Sequence, residues 1–424
     1  MRYNPQGIIQ FATSYTPAEG PGARISPSTY AEDAKQGHPA GPAFSPSTPI
    51  RTLDEEGNIA LGEDAMSVVI DSLQSQITRT ENALWDLRDE LDLSGIVIRE
   101  GDESIIKNEV EKKLKAKKLD KDFSVEDIYN HYKENINLHD DFLSSWTVSH
   151  RHVDGNIRLA SIDPEGKKEM WKSKDMNGLY GRISRTSSSN VKELLTLSPN
   201  LALYGFWLSS GALTRHRESR NYGYEINAYD VHKVYYGATK LSHLPTSSQT
   251  QYKRDADGVF REAKKGIKPS EALLGSVPAF STSTVTARNI LGTGSLKAGK
   301  LWGTLGKDRR ITREQREAAF DALMSLAMLG ASLAADEWTL RSGCTLIPEE
   351  SFVTEIAGAH KNRHLDTLDT EVLLEQAKED IIKAQKVGIF GGAKDREVLY
   401  FSPSLASISL DAFLSEATKA ESKE

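Results

Sequence analysis

The chain has 424 residues, with 53 Lys and Arg, 60 Asp and Glu and a formal net charge of −7. Its composition, 38% hydrophobic and 27% charged, is that of a globular protein and excludes a fibrous or wholly disordered chain. The single cysteine excludes an intramolecular disulfide and cysteine-based zinc sites. The longest apolar stretch, residues 322–335, is too short to span a bilayer, and the N-terminus carries no secretory signal pattern. We therefore expect a cytoplasmic protein without a membrane partner.

The N-terminal quarter changes character three times. The first fifty residues hold eight of the fifteen prolines, and they predict an arm with one or two strands. Apolar residues then recur at three- and four-residue steps from Gly62 to Leu91, which predicts one long helix. Residues 96–98 predict a short strand. A lysine-rich helix and a second helix at 125–137 follow, and they predict a helical insertion whose lysines form a solvated face.

The middle of the chain combines apolar runs with polar connections. The continuous apolar run Leu201–Leu208 predicts a buried central strand, and the alternating segment Tyr224–Val234 predicts another strand. Residues 237–310 are rich in Ser, Thr, Gly and Lys, which is typical of loops or a long hairpin.

The C-terminal part predicts helices interspersed with strands. Thr312 is a candidate N-cap with Glu314 in the first turn, so a buried helix is predicted to begin there. A strand, a helix, a hairpin-like segment and a short helix are predicted to follow at Leu340–Pro348, Thr370–Lys386, Val387–Phe401 and Leu410–Ala417. Long helices with separated strands predict an α+β fold, a sheet packed on helices.

Positive charge is concentrated in the middle of the chain. Residues 182–320 contain 22 Lys and Arg against 11 Asp and Glu, a net of +11. The remaining residues carry 31 against 49, a net of −18. Such an asymmetry lets a protein stay soluble while one surface attracts a polyanion. From charge alone, nucleic-acid binding and a solvated surface without a partner both stay open.

Clusters of cations within this basic region favour contact with a single-stranded nucleic-acid backbone. Guanidinium groups fork onto phosphates, and nearby hydroxyls add hydrogen-bond donors. Each cluster lies in a segment predicted to be irregular, and each alone would fit a solvated loop. Together they favour RNA binding. The candidates are Arg182 and Arg185, then Arg215, His216, Arg217 and Arg220, then Lys253 and Arg254, and finally Lys297 and Lys300 in a predicted flexible basic loop.

Motifs for catalysis or metal binding are weak. Gly294–Leu301 resembles a phosphate-binding P-loop, but Leu301 stands where a Ser or Thr must hold magnesium. His150, His152 and Asp154 have metal-binding side chains, but no fourth ligand follows at a recognised spacing. We therefore expect structural histidines, no enzyme activity, no metal and no cofactor.

Four short segments of the chain resemble one protein family, in that family's order: Arg24–Tyr30, Asp71–Glu81, Pro199–Leu208 and Leu340–Pro348. The family is the backbone subunit of the type I-G (formerly I-U) CRISPR Cascade complex, within the Cas-seven superfamily. The resemblance implies a modified RNA-recognition-motif (ferredoxin-like) palm, a helical fingers insertion and a thumb hairpin. It also adds four RNA-binding candidates: Arg24, Gln74, Gln76 and Arg79.

The resemblance implies a non-catalytic subunit that polymerises along crRNA as a helical filament and presents it for base pairing in antiviral defence. Implied partners are the crRNA, the target DNA strand through the guide, other copies of the chain, a large subunit, a subunit that caps the crRNA end and a recruited nuclease-helicase. Because such a protein serves many guides, phosphate and sugar contacts should dominate. The alternatives are a nuclease or nucleotide-dependent enzyme of the same defence system, and a structural protein without nucleic acid.

Six domain segments are predicted from the composition and the resemblance together. They are an N-terminal arm at 1–60, the first part of the palm at 61–100, a fingers-like helical insertion at 101–180, palm strands with the basic connection at 181–236, a thumb-like hairpin with basic loops at 237–310, and the C-terminal part of the palm at 311–424.

Overall fold

The structure is a computed structural model. It describes residues 2–32, 40–121, 123–136, 141–209, 215–240, 250–255, 259–269, 277–357, 362–365 and 369–419. The strands are β1 Ile8–Pro17, β2 Thr29–Tyr30, β3 Gly41–Pro42, β4 Phe44–Leu53, β5 Ile59–Asp71, β6 Ile96–Arg99, β7 Phe206–Leu208, β8 His216–Glu218, β9 Tyr222–Lys240, β10 Gln251–Arg254, β11 Phe260–Ala263, β12 Val277–Leu296, β13 Thr339–Arg341, β14 Cys344–Ile356, β15 Arg363–Leu365 and β16 Glu397–Tyr400.

Helices occur between and after these strands. They are α1 Leu73–Asp86, α2 Glu103–Lys117, α3 Val125–Ile136, α4 Gly155–Leu159, α5 Met170–Ser173, α6 Leu179–Arg185, α7 Val191–Leu197, α8 Asn200–Tyr204, α9 Ala298–Leu305, α10 Arg313–Ala335, α11 Thr370–Lys386 and α12 Pro403–Lys419, with short 3-10 turns at Arg151–Val153 and Ala393–Asp395. The helices predicted at 125–137 and Thr370–Lys386 are confirmed.

A large sheet forms the centre of the fold. Its strand order is β13-β14-β1-β12-β9-β5-β4, and β15 pairs with β14. β1 pairs antiparallel with both β12 and β14, so this strand of the N-terminal segment lies inside the sheet. Pro46 and Pro49 lie in β4 at one edge, where a missing N–H blunts pairing with another chain. The predicted α+β class is confirmed.

Helix α10 is the central core helix, and α1 and α11 pack against it. The Thr312 hydroxyl accepts the backbone N–H of Gln315, whose side chain in turn accepts the N–H of Thr312, so the predicted N-cap is confirmed as a capping box. A side chain at Gly330 would bring its Cβ within 2.6 Å of Thr80, so this glycine permits the close approach of α1. By length and composition α10 could cross a membrane, but 78% of its apolar window is buried inside the protein, as in a core helix.

Two predicted elements near the sheet are wrong over part of their length. The run Leu201–Leu208 is not one strand, because Asn200–Tyr204 is helical and a strand resumes only after Gly205. Gly205 adopts φ +72°, a left-handed conformation that ends the helix and that glycine adopts without strain. The predicted helix from Gly62 also starts too early, because residues up to Asp71 belong to β5 and the helix begins at Leu73.

Two C-terminal predictions also change. Leu340–Pro348 is not one strand, because a turn at Gly343, with φ +73°, separates β13 from β14. Val387–Phe401 does not form a hairpin, since β16 pairs in parallel with the distant β6. The predicted short helix at 410–417 lies within the longer α12.

The chain divides into two compact units. The first contains Met1–Asp102, Asn137–Lys233 and Val285–Ser402, and the second contains Glu103–Ile136, Val234–Thr284 and Pro403–Glu424. Within the second unit α12 packs against α2. Two α2 lysines pair with glutamates of their own helix, Lys112 with Glu109 and Lys115 with Glu111, as expected for a solvated face. Lys113 instead pairs with Asp411 of α12. The six predicted domain segments stay predictions.

Candidate nucleic-acid interface

Three of the four segments that carry the family resemblance meet at a buried carboxylate of the first unit. Asp71 has no exposed surface and accepts hydrogen bonds from Arg341 Nη2 at 2.5 Å and Gln76 Nε2 at 2.8 Å. Arg341 also donates to the Ser26 carbonyl and the Ser28 hydroxyl, each at 3.0 Å. These contacts join the segments at 24–30, 71–81 and 340–348 into one buried frame.

A second buried carboxylate, that of Glu81, connects the fourth resembling segment, Pro199–Leu208, to the same frame. Glu81 accepts two hydrogen bonds of 2.7 Å from Arg151 and one of 2.8 Å from Asn200. Burial raises the pKa of Glu81, while the charge and hydrogen bonds of Arg151 act to lower it. Arg151 Nη1 also donates to the Gly205 carbonyl at 3.2 Å. The ion pair therefore fixes the turn from which β7 begins.

The four RNA-binding candidates that the resemblance supplied lie partly in this frame. Gln76 is buried against Asp71, and Arg79 binds Asp71 and pairs with Glu337 at 2.5 Å. Both side chains therefore have internal partners. The other two members, Arg24 and Gln74, are exposed residues. RNA contact by these four residues stays a prediction.

Basic residues of the first unit come together on neighbouring segments. The Lys300 ammonium group donates to the carbonyls of Ser219 at 2.9 Å and Arg220 at 3.0 Å. The backbone N–H of Lys297 donates to the Asn221 carbonyl at 2.8 Å. The start of α9 therefore lies directly against the connection that contains the predicted arginine cluster.

A third basic segment, the turn between α9 and α10, adjoins these two through a serine-rich loop. The Lys307 ammonium lies 3.5 Å from the Ser188 hydroxyl, and the Ser188 N–H donates to Glu218 at 3.0 Å. Arg310 donates to the Ser189 carbonyl at 2.8 Å and is held by the buried carboxylate of Asp308. We term six exposed cations of the three segments the basic surface: Arg217, Arg220, Lys297, Lys300, Lys307 and Arg310.

The cations of the basic surface repel one another. Burial lowers the pKa of Lys300, and the charges of Lys297 and Lys307 lower it further, while Glu218 acts in the opposite direction. A bound polyanion would relieve this repulsion, because it favours the charged form of every lysine. Serine hydroxyls beside the cations add neutral donors for phosphate oxygens.

Lys297 and Lys300 do not lie in the flexible loop that the sequence predicted. Lys297 precedes α9 and Lys300 lies in its first turn. The first residues of the P-loop-like segment, which would bind phosphate in a true P-loop, instead form the end of β12. There Gly294 pairs with Phe11 and Ser295 with Gln10.

Arg182 and Arg185 lie in helix α6 rather than in an irregular segment. Arg182 forms ion pairs with Glu193, at 2.6 Å, and with Glu397. Arg185 is more exposed and lies 3.8 Å from Glu193. The charge of Arg182 is therefore already balanced within the fold, so this pair is a weaker candidate for RNA than the basic surface.

Lys253 and Arg254 lie in the second unit, on strand β10, which pairs with β11. Both side chains are exposed, and the Arg254 guanidinium lies 5.0 Å from the Phe260 ring. This two-stranded hairpin falls in the segment predicted as a thumb. Other parts of that segment, 241–249, 256–258 and 270–276, lie outside the described residues.

Sequence analysis missed two features at or beside the basic surface, an exposed tryptophan and a cationic turn. Trp207 is 65% exposed on β7, although Phe206 and Leu208 on either side of it are buried. The turn at 307–310 carries three cations in four residues, which was a visible signal. Its contact with Ser188 and Ser189 depends on pairing across more than a hundred residues, and no local pattern predicts such a contact.

The candidate metal residues have structural partners. His152 is fully buried, its Nε2 lies 2.9 Å from the Thr186 hydroxyl, and its ring packs edge-on against Phe206. Asp154 caps α4 by accepting the Asn156 N–H. Among the described residues, no group of three or more His, Cys, Asp or Glu side chains is arranged to hold a metal ion. A metal-free protein stays an expectation.

His152 makes the stability of the fold depend on pH. Burial lowers its pKa from 6.5 to about 3. Its Nδ1 has no hydrogen-bond partner, so a proton bound there would leave a buried N–H without an acceptor. Because the unfolded chain binds a proton below pH 6.5 and the folded chain does not, stability is lost as the pH falls from 6.5 towards 3. Between pH 7 and 4.5 this loss is about 2.5 kcal/mol.

His152→Gln keeps a donor towards Thr186 and cannot titrate. The pH dependence of its unfolding free energy, measured by urea denaturation, should therefore be shallower than that of the parent by this amount. Identical pH profiles would show that His152 is not buried as a neutral ring.

Comparison with known proteins identifies the family. Residues 9–233 match the family model described as CRISPR-associated protein GSU0053, which covers more than half of the chain. The chain belongs to this family. Three of the four resembling segments, 24–30, 71–81 and 199–208, fall within the matched region. The basic surface spans the matched region and the residues that follow it.

Comparisons beyond the family model are more distant. A solved chain titled "CRISPR RNA-guided surveillance complex, pre-nicking" matches with 9% identity and a TM-score of 0.32, over 96% of this chain and 99% of that chain. No curated protein matches the sequence.

Proposed function

We propose that this chain is a non-catalytic, RNA-binding backbone subunit of a CRISPR Cascade complex, of type I-G and of the Cas-seven superfamily. It polymerises along crRNA in the cytoplasm and presents the guide to target DNA. The observation that carries the proposal is the basic surface, where six cations on three contacting segments adjoin serine hydroxyls in a member of a CRISPR-associated family.

The chemistry of this surface favours a nucleic-acid backbone over other anions. Its cations are distributed over three segments instead of converging on one pocket, which suits successive phosphates. They adjoin serines, whose hydroxyls can donate to phosphate and sugar oxygens without reading sequence. A palm related to the RNA recognition motif, the fingers and the thumb belong to the same proposal.

The proposal is tested by binding of the purified full-length chain to single-stranded RNAs of unrelated sequence in low salt. We expect similar affinities for all of them, and an absorbance ratio of 260 to 280 nm that reveals RNA when the chain is expressed with a guide. Absence of binding at 50 mM salt would contradict the proposal. Magnesium-dependent cleavage of the RNA would favour the alternative, a nucleic-acid-processing enzyme.

A further inference from the structure

Trp207 is a large aromatic side chain that the fold holds in an exposed position. It is 65% exposed at the centre of the three-residue strand β7, whose other two side chains are buried. Because side chains alternate across a strand, burial of Phe206 and Leu208 turns the indole outward. An indole with this much exposed surface cannot have both faces covered.

The backbone around Trp207 is held by strand pairing and by a close contact at Gly205. β7 pairs with β8 in register, so that Trp207 lies opposite Arg217. At Gly205 an added Cβ would lie 2.4 Å from the Glu218 carbonyl, so the two segments are in close contact. The same glycine is held by Arg151 through its carbonyl. The ring is therefore presented on a preformed platform instead of a loop that must be ordered on binding.

The charge around Trp207 is positive. The Arg217 guanidinium lies 5.5 Å from the centre of the ring, within the range of a cation–π contact. Arg217 and Arg220, on the paired strand and just after it, belong to the basic surface. An isolated exposed aromatic residue needs no explanation. An exposed indole beside arginines of a polyanion-binding surface has the two components that bind single strands, a stacking plane and cations for the backbone.

We infer that Trp207 stacks on a nucleobase of the bound RNA. This inference rests on the proposed function, and it adds a base contact to a surface that otherwise contacts only the backbone. Stacking tolerates every base, because each base has a π-face, so it is compatible with a protein that serves many guides. One such contact in each copy of the chain would fix the register of the guide on the subunit.

A second exposed tryptophan provides a matched control. Trp338 is 48% exposed in the same unit, but it directly follows Asp336 and Glu337 and so lies in an acidic stretch. Its replacement removes the same side chain from a place outside the basic surface. Trp207→Ala and Trp338→Ala therefore separate a specific contact from a general effect of losing an exposed indole.

The experiment measures affinity of the full-length protein for two probes, a single-stranded RNA of mixed sequence and an abasic ribose-phosphate oligomer of equal length. Trp207→Ala should weaken RNA binding about 5- to 150-fold, the range for loss of one stacked base. It should leave the slope of affinity against salt unchanged, since no cation is lost. It should bind the abasic oligomer like the parent. Trp207→Phe should recover part of the affinity, and Trp338→Ala should match the parent on both probes.

Three outcomes would overturn the inference. If Trp207→Ala binds RNA like the parent, the ring contacts no base. If it loses equal affinity for the abasic oligomer, the ring acts by positioning Arg217. If it lowers self-association of RNA-free protein with RNA binding intact, the ring is a protein contact. Failure of the parent itself to bind either probe would instead contradict the proposed function. Equal melting temperatures of parent and variant would show that the comparison is between folded proteins.

Discussion

A fourfold rise in salt, from 50 to 200 mM, is expected to lower the affinity of the protein for single-stranded RNA by on the order of a hundredfold. Each cation that neutralises a phosphate of a single strand releases about 0.7 counterion. Arg310 is already paired with the buried Asp308, so five cations of the basic surface remain to engage phosphates. The logarithm of affinity should then fall with the logarithm of salt with a slope of about −3.5. A slope near zero would show that binding is not electrostatic.

Removing three of these cations should flatten the salt dependence. The variant Arg220→Ala, Lys297→Ala and Lys307→Ala keeps the contacts that Lys300 and Arg310 make within the fold. Its slope should be smaller than that of the parent by about 2. Its loss of affinity should be similar for RNAs of unrelated sequence, because backbone contacts carry no sequence information.

The matched control removes the same charge from elsewhere. Lys112, Lys115 and Lys172 are exposed, and each already pairs with a glutamate three or four residues away. Their triple alanine variant should bind RNA with the slope of the parent, because a neutralised lysine attracts phosphate weakly. Equal slopes for the parent and both triple variants would show that RNA follows another path, for which the exposed candidates include Lys253 and Arg254 on the β10 hairpin.

Local signals predicted those elements whose ends the sequence itself marks. Helix α10 begins after Thr312, because this residue and Gln315 satisfy each other's backbone N–H groups within one turn. Helix α11 begins after Asp369, which caps it, and its apolar period needs no distant partner. Such information is contained in four to twenty consecutive residues.

Prediction failed where the apolar residues of one segment fit both a helical pattern and a strand. Met66, Val69 and Ile70 suit a helical face, but they also form the end of a strand whose partners lie on β4 and β9. The run from Leu201 contains good helix formers, and the position of Gly205 decides where the helix ends. Periodicity alone cannot distinguish a short buried strand from a short buried helix.

The candidate interface could be predicted only in part. The excess of positive charge and the arginines at 215–220 were visible in composition, and they do belong to a cationic region. The sequence could not predict that Ser188, Lys300 and Lys307 would lie beside them, because sheet pairing and helix packing bring these residues together. Nor could it predict that Arg182 would be balanced by Glu193 and Glu397, the second of which is more than two hundred residues away.

Replacement of Arg151 by methionine is expected to lower the free energy of unfolding by about 3–5 kcal/mol at pH 7. Its guanidinium makes both short hydrogen bonds to Glu81, and the two side chains are almost fully buried. Without Arg151 the carboxylate stays in a site of low polarity with only Asn200 as a donor. Urea denaturation of the full-length variant measures this loss.

The same variant should become less destabilised as the pH falls from 7 to 5. Burial already raises the pKa of Glu81, and losing Arg151 removes the main influence that lowers it. Because its pKa is raised by folding, this carboxyl group binds a proton in the folded chain at a higher pH than in the unfolded chain. Folding is therefore favoured as the pH decreases from 7 to 5. A destabilisation that does not change with pH would show that Glu81 is not the source of the cost.

A double variant separates the ion pair from the packing around it. Glu81→Gln with Arg151→Met removes both charges, and because buried pairs are often replaceable by neutral groups, it should be more stable than Arg151→Met alone. The Gly205 carbonyl still loses its Arg151 donor in both variants. If that hydrogen bond positions β7, the double variant should recover stability without recovering RNA affinity, since the turn that presents Trp207 stays unsupported. Recovery of both would show that the ion pair maintains the fold and has no separate part in positioning the surface.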